Sequence, residues 1–514
     1  MRLHVFTASA ILVMVGAIHA QSAISTDAVL DIPHDEIIRH VFDGERATIA
    51  AFAKGQPIVE TYLQSLDPET IAEAPIDDAY FLGRVDLNAD SPDGGINQTL
   101  LFGNTDRDRR VRVSNGQRWP LTPDGFVSML FPDINNFDED DYELKTQNLE
   151  RLGNTNCVRF LVSPKNPKLA GYFVGDIWVE TSHFRIVRIK GTFTPKRFGF
   201  FAKYFDVRGI SYLGMYLHFD SWREEAAPGI WVPSYTYFDE NRTWGNATGQ
   251  LVSSFRYRGH VLAWGYQGPP ADLGQAPATD QTARTTGSLL ARLQSDGLLA
   301  NPGEVEASLT GIVRELRAVN NLGGPEVDCR VLLTTPVELF SVESTVFISR
   351  GLLNLAPGHS VLTVLLATEL AHILLGHSQG VGVTTTSLFS GRTSDFGGFG
   401  IRRTVAEEAA AANRVKLLLN HPQYANAISE TDAFLSQLAL QSSQIPNLVR
   451  ARFGLGLVMG GNSGVKLPIQ ESGRQQPSAT PLALWGTYGV ESLLNRVAIR
   501  GDSNGLEDPA RLGR

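Results

Sequence analysis

The residues best placed to do chemistry lie in one short stretch, Ala367-Thr368-Glu369-Leu370-Ala371-His372. On a helix, Glu369 and His372 are three positions apart and share a face. Such a face suits hydrolysis by a bound divalent metal, with imidazole as ligand and the carboxylate drawing a proton from the metal-bound water. The usual arrangement places a second histidine four positions before His372, because four residues turn about 400° and point both rings the same way. Thr368 stands there instead, and a neutral hydroxyl is a poor zinc ligand. Two other histidines are poor substitutes. His359 lies ~20 Å away along a helix, and His377 sits roughly 140° round it from His372. A histidine from elsewhere in the chain is the remaining alternative. A later helix would have to supply a further ligand.

The elements that must hold these groups are legible from periodicity. Val361 to Leu375 is a long apolar run expected to be a buried helix, with Ser360 as its N-cap. Strand-like runs at Cys329–Thr334 and Thr345–Ser349 precede it. Helices are expected over Val305–Val319, Thr404–Leu419 and Ala427–Leu440.

Residues 337–377, VELFSVESTVFISRGLLNLAPGHSVLTVLLATELAHILLGH, resemble the core of the gluzincin peptidases related to CAAX prenyl proteases. The soluble bacterial members of that family are periplasmic proteases and chaperones. Phe347-Ile348-Ser349-Arg350-Gly351-Leu352-Leu353 matches the family's lead-in, and Glu369-Leu370-Ala371-His372 matches its helix. The resemblance spans about residues 300–430. It implies Glu369 as catalytic base, His372 and Glu408 as metal ligands, and Thr368 in the place of the first ligand. It implies zinc if the site is active and no cofactor otherwise. The family's acid four residues after its third ligand is replaced by Ala411 or Ala412, so the degenerate site implies a non-catalytic binding or chaperone-like module. An active zinc endopeptidase with an unusual first ligand is the alternative.

Upstream the pattern differs. Residues 27–77 read as a helical lead-in, with a second helical segment at Ile58–Leu66. From 78 to 266, short runs of aromatic and β-branched residues alternate with polar ones, as in GDIWVETSHFRIVRIKGTF and GIWVPSYTYFDE. These predict an antiparallel curved sheet. Six of the seven tryptophans lie between Trp119 and Trp264 and are candidates to line an apolar cavity. The strands loosely resemble lipoprotein carriers, which implies a lipid, lipoprotein or envelope-protein ligand and supplies a third reading, a periplasmic carrier. The expected class is α+β: a curved sheet domain with a helical lead-in, then a mainly helical zincin-like domain at 289–445. A linker is expected at 267–288, and a Gly/Ser/Pro-rich tail at 446–514 with one helical patch, Val490–Val497.

Composition narrows the function classes. The 514 residues carry a net charge of −9, which excludes the basic footprint of a general nucleic-acid binder. Two cysteines, Cys157 and Cys329, exclude a disulfide scaffold and a four-cysteine zinc module. Each falls in an apolar run and is expected to be a buried free thiol. The acidic run Asp138–Asp141 lacks calcium-loop spacing and reads as a solvated turn. Residues 1–20 have the short basic start, apolar core and small terminal residue of a secretory signal. The expected location is periplasmic or secreted, without a lipid anchor and membrane-peripheral at most.

Overall fold

The structure is a computed structural model. It describes residues 33–67, 75–87, 96–102, 111–112, 118–119, 123–166, 171–194, 217–227, 229–245, 251–267, 289–377, 388, 399–457, 488–492 and 495–499. The signal-like residues 1–20, nearly all of the linker and most of the tail lie outside these.

Helix α1 spans His34–Gly55 and is followed at once by strand β1, Ile58–Leu66. The second helix expected there is therefore a strand. All nine of its residues are buried. A strand covered on both faces shows no two-residue alternation, which is why its pattern is ambiguous. Strands β2 (Pro75–Leu87) and β3 (Ile96–Phe102) follow, then a short hairpin, β4 (Val111–Arg112) with β5 (Arg118–Trp119), and helix α2 (Pro123–Ser128). Seven more strands run as a meander: β6 (Tyr142–Leu152), β7 (Thr155–Pro164), β8 (Phe173–Glu180), β9 (Ile186–Phe193), β10 (Phe219–Ala227), β11 (Ile230–Gly245) and β12 (Leu251–Trp264).

These form one ten-stranded sheet in the order β3-β2-β1-β12-β11-β10-β9-β8-β7-β6. Every neighbouring pair is antiparallel, so the expected curved antiparallel sheet is present. Strand β6 is one edge. A bulge at Thr146/Leu149 interrupts its pairing with β7, and Glu143, Lys145, Thr146, Gln147 and Asn148 are exposed along it.

The later part mixes helices with a small sheet. It comprises α3 (Leu289–Ser295), α4 (Glu304–Val319), β13 (Asp328–Leu332), β14 (Leu339–Val342), β15 (Thr345–Ser349), α5 (Arg350–Leu355), α6 (His359–Leu374), α7 (Val405–Leu418), α8 (Ala427–Gln441) and α9 (Pro446–Val449). Strand β15 pairs parallel with β13 and antiparallel with β14. The patch at 490–497 is a hairpin, β16 (Tyr488–Glu491) with β17 (Arg496–Ile499), and not a helix. Its valines pair across the hairpin, Val490 opposite Val497.

One face of the large sheet shares a hydrophobic core with this later part. Ile58, Tyr62, Leu82, Tyr235, Leu262 and Trp264 pack with residues of α3–α9. Buried acids stitch the contact. Glu60 accepts from Tyr80 Oη at 2.8 Å, Thr335 N at 2.6 Å, Thr335 Oγ1 at 2.8 Å and Arg350 Nη2 at 2.8 Å. Asp78 accepts from the backbone N–H groups of Asn447 and Leu448, at 2.9 and 2.8 Å, so it holds the start of α9 against β2. Within the later part itself, Glu338 accepts three backbone N–H groups, those of Arg452, Phe453 and Gly454, at 2.9, 2.9 and 3.0 Å. Buried carboxylates need such partners, since an unpaired one is strongly disfavoured away from water.

Candidate functional site

Helix α6 is buried on nearly every side from Val361 to His372, which fits its uninterrupted apolar sequence. Gly358, not Ser360, precedes it as N-cap. Thr368 turns its hydroxyl back to Val364 O of its own helix at 3.0 Å. Glu369 is fully buried and accepts three hydrogen bonds from two residues. Ser341 Oγ of β14 donates to it at 2.8 Å, and Arg403 donates through Nη1 to Oε1 at 3.0 Å and through Nη2 to Oε2 at 2.5 Å. Burial alone pushes the Glu369 carboxyl up, but the Arg403 guanidinium outweighs it and holds the group below its ordinary range.

His372 is 0% exposed. Its Nε2 lies 3.5 Å from Glu408 Oε2, and its Nδ1 lies 3.1 Å from Nδ1 of His377. The expectation that His377 faces elsewhere fails because the helix does not continue to it. Gly376, at φ 74°, ends the helix, and His377 N returns to His372 O at 2.9 Å. One of the two Nδ1 atoms must carry the proton and the other accept it. Burial, and then the neighbouring His372, lower the pKa of His377. Glu407 is used locally, accepting from Thr404 N at 2.7 Å in a capping box at the start of α7.

The structure therefore brings Glu369, His372 and Glu408 into one neighbourhood and leaves Thr368 bonded to its own helix. Arg403, Ser341 and His377 are the members that sequence reasoning missed. A signal for Arg403 existed: Glu369 on an apolar helix that lacks a full ligand set needs a counter-charge, and Arg402-Arg403 precedes the acidic start of α7.

A second candidate site is the other face of the large sheet. Phe160, Phe173, Phe193, Phe219 and Phe238 of the strands form one aromatic and aliphatic core with Phe42 and Phe52 of α1 and Phe126 of α2. Ring contacts run through it, with Phe193 stacked on Phe219 at 5.4 Å and Phe126 on Phe238 at 5.5 Å. Helix α1 covers this face with Ile37, Val41, Phe42 and Phe52, and its opposite side is largely exposed. A fully buried ion pair fastens it, Arg223 Nη1 and Nη2 of β10 each 2.6 Å from an oxygen of Glu45. Arg185 adds a bond to His40 O at 3.4 Å.

The tryptophans whose side chains are described are not among these rings. Trp222 and Trp264 pack toward the later part, while Trp178 and Trp231 belong to a small separate cluster with Cys157. Trp178 lies between two guanidinium groups, Arg159 at 5.4 Å and Arg188 at 4.5 Å. Cys157 and Cys329 are free and buried, and burial pushes both thiols up to about 12.

No family model matches the chain, and no curated protein matches it. Among solved structures, a DUF1329 family protein from Desulfovibrio piger is 15% identical, with a TM-score of 0.22 over 48% of this chain and 98% of its own. The structure of MucB is 11% identical, with a TM-score of 0.14 over 42% of this chain and 90% of its own. MucB in complex with MucA from Pseudomonas aeruginosa is 10% identical, with a TM-score of 0.14 over 45% and 95%. TM-scores this low establish no shared activity.

The gluzincin reading is corrected on these grounds, and with it the zinc, hydrolase and protease assignments. Among the described residues, no group of three or more His, Cys, Asp and Glu side chains is placed to hold a metal ion. The physical reason is Arg403: its guanidinium binds both oxygens of the carboxylate that a catalytic water would need. The mainly helical zincin-like domain is likewise not seen, since the region contains a three-stranded sheet and shares its core with the large sheet.

Proposed function

We propose that this protein is an exported, non-catalytic carrier that binds an apolar group, such as the acyl chain of a lipid or lipoprotein, on the phenylalanine-lined face of its ten-stranded sheet. The observation that carries this reading is how that face is covered. Among the described residues, no second sheet seals it. The amphipathic helix α1 lies across it, apolar side inward and polar side to water, held by the Glu45–Arg223 clamp, beside α2 and the buried run Met129–Phe131 that follows it. A face of this kind exchanges a helix for a ligand of similar apolarity at small net cost in buried area. The Glu369 cluster then serves as a structural counter-ion site that keeps α6 and α7 together. The signal-like start of the sequence fits an envelope or extracellular location. Among the described residues, no helix is long and apolar enough to cross a membrane.

The test is direct. Organic extracts of the purified full chain are analysed by mass spectrometry, and the delipidated chain is titrated with a fluorescent long-chain fatty acid. Copurifying lipid and saturable binding, competed by phospholipid, are expected. Clean extracts together with non-saturable partitioning would end the carrier reading.

A further inference from the structure

The ends of three elements meet around one arginine. Helix α1 finishes at Gly55, and its C-cap Gln56 adopts a left-handed conformation at φ 39°. Strand β12 finishes at Trp264–Gly265, and helix α3 finishes at Ser295–Asp296. Arg84 of β2 donates to a carbonyl of each: Nη1 to Gln56 O at 2.8 Å and to Gly265 O at 3.3 Å, and Nη2 to Asp296 O at 3.3 Å. Gln267, with its amide oxygen turned toward Arg84, accepts from both Nη atoms at 3.0 and 3.3 Å. Gly55 O accepts from Gln267 N at 2.5 Å. The C-terminal end of a 22-residue helix carries partial negative charge, so a cation there is favoured.

The same point touches the later part of the chain. Gly265 and Gly297, at φ 66° and 75°, pack against each other over Ile58, and a side chain on either would press on Ile58. Trp264 Nε1 donates to Gly297 O at 2.8 Å. Gly265 N donates to Asn495 Oδ1 at 2.8 Å, and Asn301 N to Asn495 O at 2.6 Å. No slack is left between the end of α1 and the residues that follow α3.

We propose that Arg84 is a coupling joint: when α1 lifts from the aromatic face, the end of α3 and the β16–β17 hairpin loosen with it. This gives the carrier a way to report occupancy of its sheet on a distant surface, so its meaning rests on the carrier reading, although the coupling itself can be measured without ligand. A positioning role in a static core predicts no such transmission. Coupling requires an element that both sites bias, and α1 is held at its middle by Glu45–Arg223 and at its C-terminal end by Arg84.

The test is hydrogen exchange on the full chain without ligand. Glu45→Gln releases the mid-helix clamp and is expected to speed amide exchange across 34–55, and also across 289–299 by about fivefold or more. Arg84→Met alone raises the level at 289–299. Adding Glu45→Gln to Arg84→Met is expected to speed 34–55 while leaving 289–299 at the level set by Arg84→Met. Exchange at 289–299 that ignores Glu45→Gln in the parent chain, or responds equally in both backgrounds, would overturn the proposal. Arg223→Leu provides the same comparison should Glu45→Gln fold poorly. A failure of the lipid titration would leave these outcomes unchanged, so the two readings fail separately.

Discussion

With both oxygens of Glu369 engaged by Arg403 and one also by Ser341, this carboxylate has become half of a buried ion pair whose side chains are 0% and 2% exposed. Removing one partner strands the other charge. Arg403→Met is expected to lower unfolding free energy by about 3–5 kcal/mol in urea titrations. The double variant Glu369→Leu with Arg403→Met should recover most of that loss, because no charge is left unpaired. Asp78 gives a pH-dependent counterpart. Burial, partly opposed by hydrogen bonds from Asn447, Leu448 and Tyr62, raises its pKa from 3.8 to about 6. The folded chain then holds this proton more tightly than the unfolded chain does. Stability contributed at this site falls as pH rises from about 4 to about 6, by at most about 3 kcal/mol. Asp78→Asn should flatten that part of the stability profile, read from melts at pH 4, 5 and 6. At this scale the sequence showed which residues carried charge on apolar elements, Glu369 above all. It did not show their partners, because Arg403 is 34 positions away and Asn447 is 369 from Asp78.

Elements with local signals were readable. The strands of 173–264 and the helices α4, α6, α7 and α8 all stand close to where pattern places them. Thr404→Ala should cost about 1 kcal/mol and shorten α7 at its first turn, measurable by thermal denaturation. Elements set by their neighbours were not readable. Strand β1 has no alternation because both of its faces are covered, and the end of α6 depends on one glycine in a left-handed conformation. The hairpin at 488–499 carries apolar residues that suit either a helix or a strand.

Across the whole molecule, the sheet and the later helices behave as one packed body wherever they share the core around Ile58, Tyr62 and Leu262. Glu60 and Asp78 fix the register of that contact through five hydrogen bonds, from Thr335 N and Oγ1, Arg350, Asn447 N and Leu448 N. We expect far-UV circular dichroism and tryptophan fluorescence to report one coincident thermal transition. Two separated transitions would show that the sheet and the helices unfold independently. Proteolytic nicking between 268 and 288 should leave two fragments that elute together on gel filtration.

The bulge on β6 has a consequence for assembly. Among the described residues the sheet does not close into a barrel, so it keeps edges, and an unpaired edge invites other chains to add strands and build filaments. Here the extra residue between Thr146 and Leu149 breaks the flat template, and Glu143 and Lys145 place opposite charges along the approach. Deleting Asn148 would restore an even ladder. Such a variant is expected to self-associate at concentrations where the parent chain scatters light as a single species.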